Sequence, residues 1–152
     1  MKPIDQKSLE NHVIVRNVKT AKRNPEALNF YCGRGFAPQG LRPASLGNPF
    51  NMDSEESRAQ VCRDYQHLLK GRFDQIKSPH TPEGIKRAQQ KHILGIKNIA
   101  IAAANNPDKP IHLYCFCAPL RCHCEVIRAR LIVMLGNHWA IGSEKGYAPE
   151  RE

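Results

Sequence analysis

Four of the six cysteines fall within ten residues, Cys115, Cys117, Cys122 and Cys124, with His123 between the last two. Side chains of these types at this density suit three kinds of chemistry: metal ligation, attack by a thiolate, or the dry packing of a tight turn. The count would suit zinc held by Cys115, Cys117, Cys122 and Cys124. The spacing argues against it, because zinc motifs leave two to four residues between paired cysteines whereas these pairs are Cys-x-Cys. Cys124 is also expected to point to a different helix face from Cys122. A site without a metal is therefore preferred to a zinc site. For an activated thiol, Cys122 is the strongest candidate. It is expected at a helix N-terminus, where unpaired backbone N–H groups favour the anion, with Arg121 and His123 adjacent, and its pKa is expected below that of a free cysteine. Cys122, His123 and Cys117 are thus the candidate catalytic residues. Cys115 and Arg121 also satisfy a Cys-x5-Arg phosphate-cradle spacing, but the intervening residues contain no glycine and Pro119 removes an N–H donor.

Two elements must hold this turn. Ile111 to Phe116, bounded by Asn105-Asn-Pro-Asp-Lys-Pro110, has the composition of a buried strand, and Glu125 to Leu135 that of a largely buried helix closed by Gly136-Asn137. A turn between a strand's carboxyl end and a helix's amino end is where open α/β folds bind ligands. Upstream, His12 to Val18 and Asn29 to Cys32 predict two further strands, the second ending at Gly33-Arg34-Gly35. A proline-rich loop from Phe36 to Pro49 follows and closes on Gly47-Asn-Pro-Phe50. Asp53 with Glu56 forms the pattern of a capping box for a helix with apolar positions from Val61 to Ile76, including a buried Cys62. Thr81 and Pro82 start another helix, with Ile85, Ala88, His92, Ile96, Ile99 and Ala103 on its inner stripe and His92 in a structural role.

The order strand, strand, helix, helix, strand, helix predicts a single α/β domain over 1–152. It is a small two- or three-layer Rossmann-like domain with a short, mostly parallel sheet of about three strands and three helices, a polar arm at 1–11 and a tail at 138–152. A right-handed crossover places Gly33-Arg-Gly35 and the cysteine turn at one sheet edge.

The balance of 23 basic to 14 acidic residues, formally +9, favours an anionic partner, a nucleotide or nucleic acid. No apolar run approaches the roughly 20 residues that span a bilayer, no apolar leader opens the chain, and nothing suggests oxidised cysteines. A cytoplasmic location and no membrane partner are expected, and the oligomeric state is left open.

Gly33-Arg34, Gly47-Asn-Pro-Phe50 and Cys115-Phe-Cys-Ala-Pro-Leu-Arg-Cys-His123 together resemble the pattern of a family of phage and bacterial genomes known as a domain of unknown function, DUF4326. The likeness runs from about Val13 to Leu135. It implies that Arg34, Asn48, Cys115, Cys117, Cys122 and His123 belong to the shared pattern, and that Cys32, Cys62 and Cys124 do not. Here the link between the first two motifs is longer than usual in that family, and Arg121 stands where proline is common.

Three function classes follow. The first is a small enzyme or sensor acting on a nucleotide or nucleic-acid-derived anion. Arg34 would bind phosphate or carboxylate, Asn48 would bind a polar ring or ribose, and Gly33 and Cys115 would line the site. Arg34 as a surface residue and Asn48 as a turn initiator are the plainer roles. The second is a non-catalytic nucleic-acid-binding or zinc-binding module, the former using Lys19, Lys22, Arg23, Arg34 and Arg42 with Tyr31, Phe36 and Phe50 as stacking surfaces. The third is a phage-encoded protein-interaction factor acting on a host system in the host cytoplasm.

Overall fold

A computed structural model describes residues 6–52, 54–117 and 122–145, with side chains described over 8–52, 54–117 and 122–137. The chain runs α1 (Gln6–His12), β1 (Val13–Asn17), β2 (Leu28–Tyr31), β3 (Arg42–Pro43), α2 (Arg58–Lys70), α3 (Pro82–Asn105), β4 (Ile111–Cys115) and α4 (His123–Lys145). The four strands form one sheet in the order β1-β4-β2-β3, with every pairing parallel. Leu28, Phe30, Ile111, Leu113 and Cys115 face the helices and join the main core. Tyr31 and Tyr114 face the other way, where the connectors after β1 and β2 cover them with Val18 and Leu41. The period-2 alternation of β-structure thus divides a helical layer from a thinner layer of loops.

The expected α/β architecture with a parallel β2–β4 pair is present, with one strand and one helix more than anticipated. The fourth strand is the two-residue β3 inside the proline-rich loop, where Phe30 pairs with Arg42 and Tyr31 with Pro43. The expected polar arm contains α1, which is anchored by Leu9, 1% exposed, so His12 ends a helix and does not begin a strand. The capping box lies one residue later than predicted: Ser54 and Ser57 cap a 3-10 turn over Glu55–Ser57, and Asp53 lies outside the described residues. α2 stops at Gly71, whose φ of 74° is accessible to glycine, and Phe73 and Ile76 reach the core from beyond it. α4 does not end at Gly136-Asn137 but runs on to Lys145. A Cβ on Gly136 would lie 3.3 Å from Leu9 Cδ1, so this glycine marks the close passage of α1 and not a helix end. Residues 146–152 of the expected tail lie outside the described ones. Among the described residues, no helix is long and apolar enough to cross a membrane.

Asp64 is a buried carboxylate that the sequence pattern of α2 conceals. It accepts hydrogen bonds from Gln60 Nε2, Lys77 N, Ser78 N and the Ser78 hydroxyl, fixing the chain between α2 and α3. Burial pushes its pKa up, but the Ser78, Lys77 and Gln60 donors outweigh burial and hold it below the ordinary value. Asp64→Asn keeps the size but puts an amide where an acceptor is needed. It should lower stability by about 2–4 kcal/mol in chemical denaturation at pH 7. A loss within error of zero would show that the 77–78 turn does not depend on these bonds.

Candidate functional site

β2 and β4 are neighbours, and their carboxyl ends carry the two motif-bearing loops. The ladder on β4 continues past the ends of β2 and β1: Cys32 N donates to Tyr114 O at 2.9 Å, and Val18 N donates to Cys115 O at 2.8 Å. Asn17 Nδ2 donates to Phe116 O at 3.2 Å, fixing the chain just before Cys117.

The Gly-Arg and Gly-Asn-Pro-Phe motifs lock onto each other. Arg34 donates from Nε and Nη2 to Asn48 O at 2.9 and 2.6 Å, from Nη2 to Phe50 O at 2.8 Å, and from Nη1 to Asn51 Oδ1 at 2.8 Å. Asn48 Oδ1 accepts from Phe50 N at 3.0 Å, a local turn of the kind asparagine favours before proline. A Cβ on Gly47 would meet Arg34 Cα and Gly33 O at 3.0 Å, so the two segments are in backbone contact and only glycine fits. Arg34 is therefore a clasp on the loop, and Asn48 is the turn initiator.

His123 makes the second tie. Its Nε2 lies 2.8 Å from Cys32 O and 2.7 Å from Leu46 O, so that nitrogen must carry a proton, shared between the two carbonyls. Burial lowers its pKa, only partly offset by those carbonyls, which leaves the ring neutral at pH 7. The ring meets Tyr65 edge-on at 5.2 Å, and the Tyr65 hydroxyl shares a 2.7 Å hydrogen bond with His92 Nδ1. His123 thus joins the end of β2, the loop and the start of α4. Leu46 itself is fully buried, and a Cβ on Gly95 of α3 would come within 2.9 Å of Ala44 O, so this glycine lets the loop cross the helix.

These ties leave a cavity of about 290 Å³ over the strand ends. Every ligand or catalytic candidate lines it: Gly33, Arg34, Asn48, Cys115, Cys117, Cys122 and His123. Tyr31, Phe116, Met52 and Arg58 complete the opening. The expected convergence of the Gly-Arg turn, Gly47 to Phe50 and the cysteine turn is therefore present. Pro119 and Arg121, and with them the phosphate-cradle spacing, lie outside the described residues.

The thiols differ from expectation in three respects. Cys122 precedes α4 as foreseen but is 5% exposed, and its sulfur is 3.3 Å from that of Cys115. The neighbouring Cys115 thiol, with burial adding to it, raises the Cys122 pKa well above that of a free cysteine despite the helix start. Cys124 does not diverge from Cys122: the sulfurs of Cys115, Cys122 and Cys124 lie within 4.8 Å of one another, and Cys117 is not part of the group. Cys117 is instead half-exposed on the cavity wall, beside Arg58. The Arg58 guanidinium is held protonated by hydrogen bonds to Glu55 and then to the Cys117 sulfur. Cys62 is buried as expected.

Arg58 is the site residue that the sequence pattern misses. A signal was nevertheless present, since a cation in the first turn of a helix opposes the macrodipole and implies an outside partner.

A parallel α/β domain with a ligand-sized pocket above two adjacent strand ends is what fold and site define. The chain belongs to the family described as Domain of unknown function (DUF4326), whose sequence profile matches residues 15–132. No curated protein and no solved structure matches the chain.

Proposed function

We propose that the protein is a small enzyme or sensor that binds a nucleotide or nucleic-acid-derived anion in the cavity above β2 and β4, with Cys117 as the thiol presented to the ligand. The observation that carries this reading is the make-up of the wall: among the described residues it holds Arg34 and Arg58 and no acidic side chain, beside the rings of Tyr31 and Phe116. Arginine charge and ring faces in one small cavity suit a phosphate joined to a planar group. Arg34 contributes its charge while its donors hold the loop, and Arg58, a second cation on the cavity wall beside Cys117, is the candidate anion contact. The Cys122–His123 pair has little support as a nucleophile and base, because the thiol is buried and the imidazole Nε2 serves two carbonyls. The noncatalytic nucleic-acid reading loses Arg23, which donates to Val18 O and Ala21 O and stacks 5.1 Å from the Tyr114 ring centroid.

A panel of mononucleotides and matching nucleosides, followed by thermal shift and calorimetry, tests the proposal. At least one nucleotide should stabilise the fold while its nucleoside does not, and Arg58→Gln should weaken that binding roughly tenfold or more, the loss of one charge-assisted contact. Duplex or single strands bound with a steep salt dependence, and no nucleotide bound, would replace this reading with the strand-binding one.

A further inference from the structure

We propose that Cys115, Cys122 and Cys124 form a soft-metal site that takes one zinc ion as three thiolates, with the fourth coordination position open to the cavity. The inference rests on the sulfur geometry and is independent of the ligand reading above. Three buried sulfurs from the end of β4, the turn and the first turn of α4 converge within 4.8 Å, and the Cys115–Cys122 pair is 3.3 Å apart. A zinc–sulfur bond of about 2.3 Å in tetrahedral geometry separates ligand sulfurs by about 3.8 Å, so small side-chain adjustments would complete the cage.

Three further features favour a metal over neutral packing. Cys115 and Cys122 line the cavity, which provides an entry path and space for a water or ligand atom as fourth donor. The Cys124 backbone N–H donates to the Cys122 sulfur, and the Cys32 thiol, fully buried, contacts that of Cys124. These contacts orient metal-bound sulfurs and share their charge. His123 is excluded as a donor through Nε2, since that nitrogen already carries a proton bonded to Cys32 O and Leu46 O. The Cys-x-Cys spacing that argues against a zinc motif is no obstacle in this fold: Cys117 is not needed, and the ligands come from both sides of the turn.

The test uses the full chain, kept reduced and purified without chelator. Cobalt(II), titrated in as a spectroscopic substitute, should bind at about one equivalent with intense sulfur-to-cobalt charge-transfer absorption and tetrahedral visible bands, and zinc should displace it. Zinc should raise the melting temperature and a chelator should reverse the rise. Cys117→Ser and Cys62→Ser should retain the absorption, whereas Cys124→Ser should lose most of it. Wild-type protein giving neither charge-transfer absorption nor a zinc-dependent melting shift would overturn the site without reliance on any variant. Dependence on Cys117 in place of Cys124 would overturn the ligand assignment. A nucleotide panel that fails while cobalt binds leaves this site standing and removes only the ligand reading.

Discussion

Iodoacetamide at neutral pH should modify Cys117 first, roughly a hundredfold faster than any other cysteine in the metal-free protein, because a buried thiol reacts only after an opening of about 3 kcal/mol or more. Cys32 and Cys124 are fully buried, Cys62 and Cys115 are 2% exposed, and Cys122 is 5% exposed. Cys117 alone is half-exposed, and it has the Arg58 guanidinium against its sulfur. Peptide mapping after limited alkylation reads the order directly. Cys117→Ser should remove the fast phase and leave the fold intact, since serine at a half-exposed position loses little packing. A fast phase that maps to Cys122 would show that the turn opens far more readily than its packing indicates.

Acidification should destabilise the protein well before its carboxylates titrate. Burial, the neighbouring His123 and Lys91 lower the His92 pKa to about 4. A free histidine has a pKa near 6.5, so between these values the unfolded chain binds a proton that the folded chain refuses. The stability is fully present above pH 6.5 and is lost as pH falls towards 4, by about 2 kcal/mol at pH 5 and about 3 kcal/mol at pH 4 from His92 alone. His123, also shifted downward by burial, acts in the same direction. Urea midpoints from pH 7 to pH 4 should therefore fall, with the m-value unchanged. His92→Gln should flatten the profile. An equal slope in wild type and variant would remove His92 as its cause.

β1, β2 and β4 were legible because they are short, β-prone runs rich in apolar residues, whereas the exposed two-residue β3, Arg42–Pro43, carries no such signal. The two motif loops were legible for a different reason: glycine and proline at fixed positions announce a demanding backbone. What escaped depends on distances that no local pattern encodes. Gly136 has the form of a helix stop until Leu9 is known to pass beside it. Cys124 has the form of an outward residue until β2 and β4 are placed side by side, which brings Cys32 and Cys115 to the same buried pole of α4. Arg34 has the type that serves phosphate, and its tie to the carbonyls of Asn48 and Phe50 follows only from the folded loop.

That clasp separates two parts of the chain that are continuous in sequence. Arg34 on one side and Asn48, Phe50 and Asn51 on the other close residues 35–47 into a ring whose ends are held regardless of what lies between. Closing a longer ring adds only a slowly rising entropic penalty, roughly 0.6 kcal/mol per doubling of length. Phe36, fully exposed within it, has no packing role to preserve. The segment from Gly35 to Gly40 is accordingly a place where this scaffold can accept inserted residues, or a grafted peptide, without moving the cavity wall.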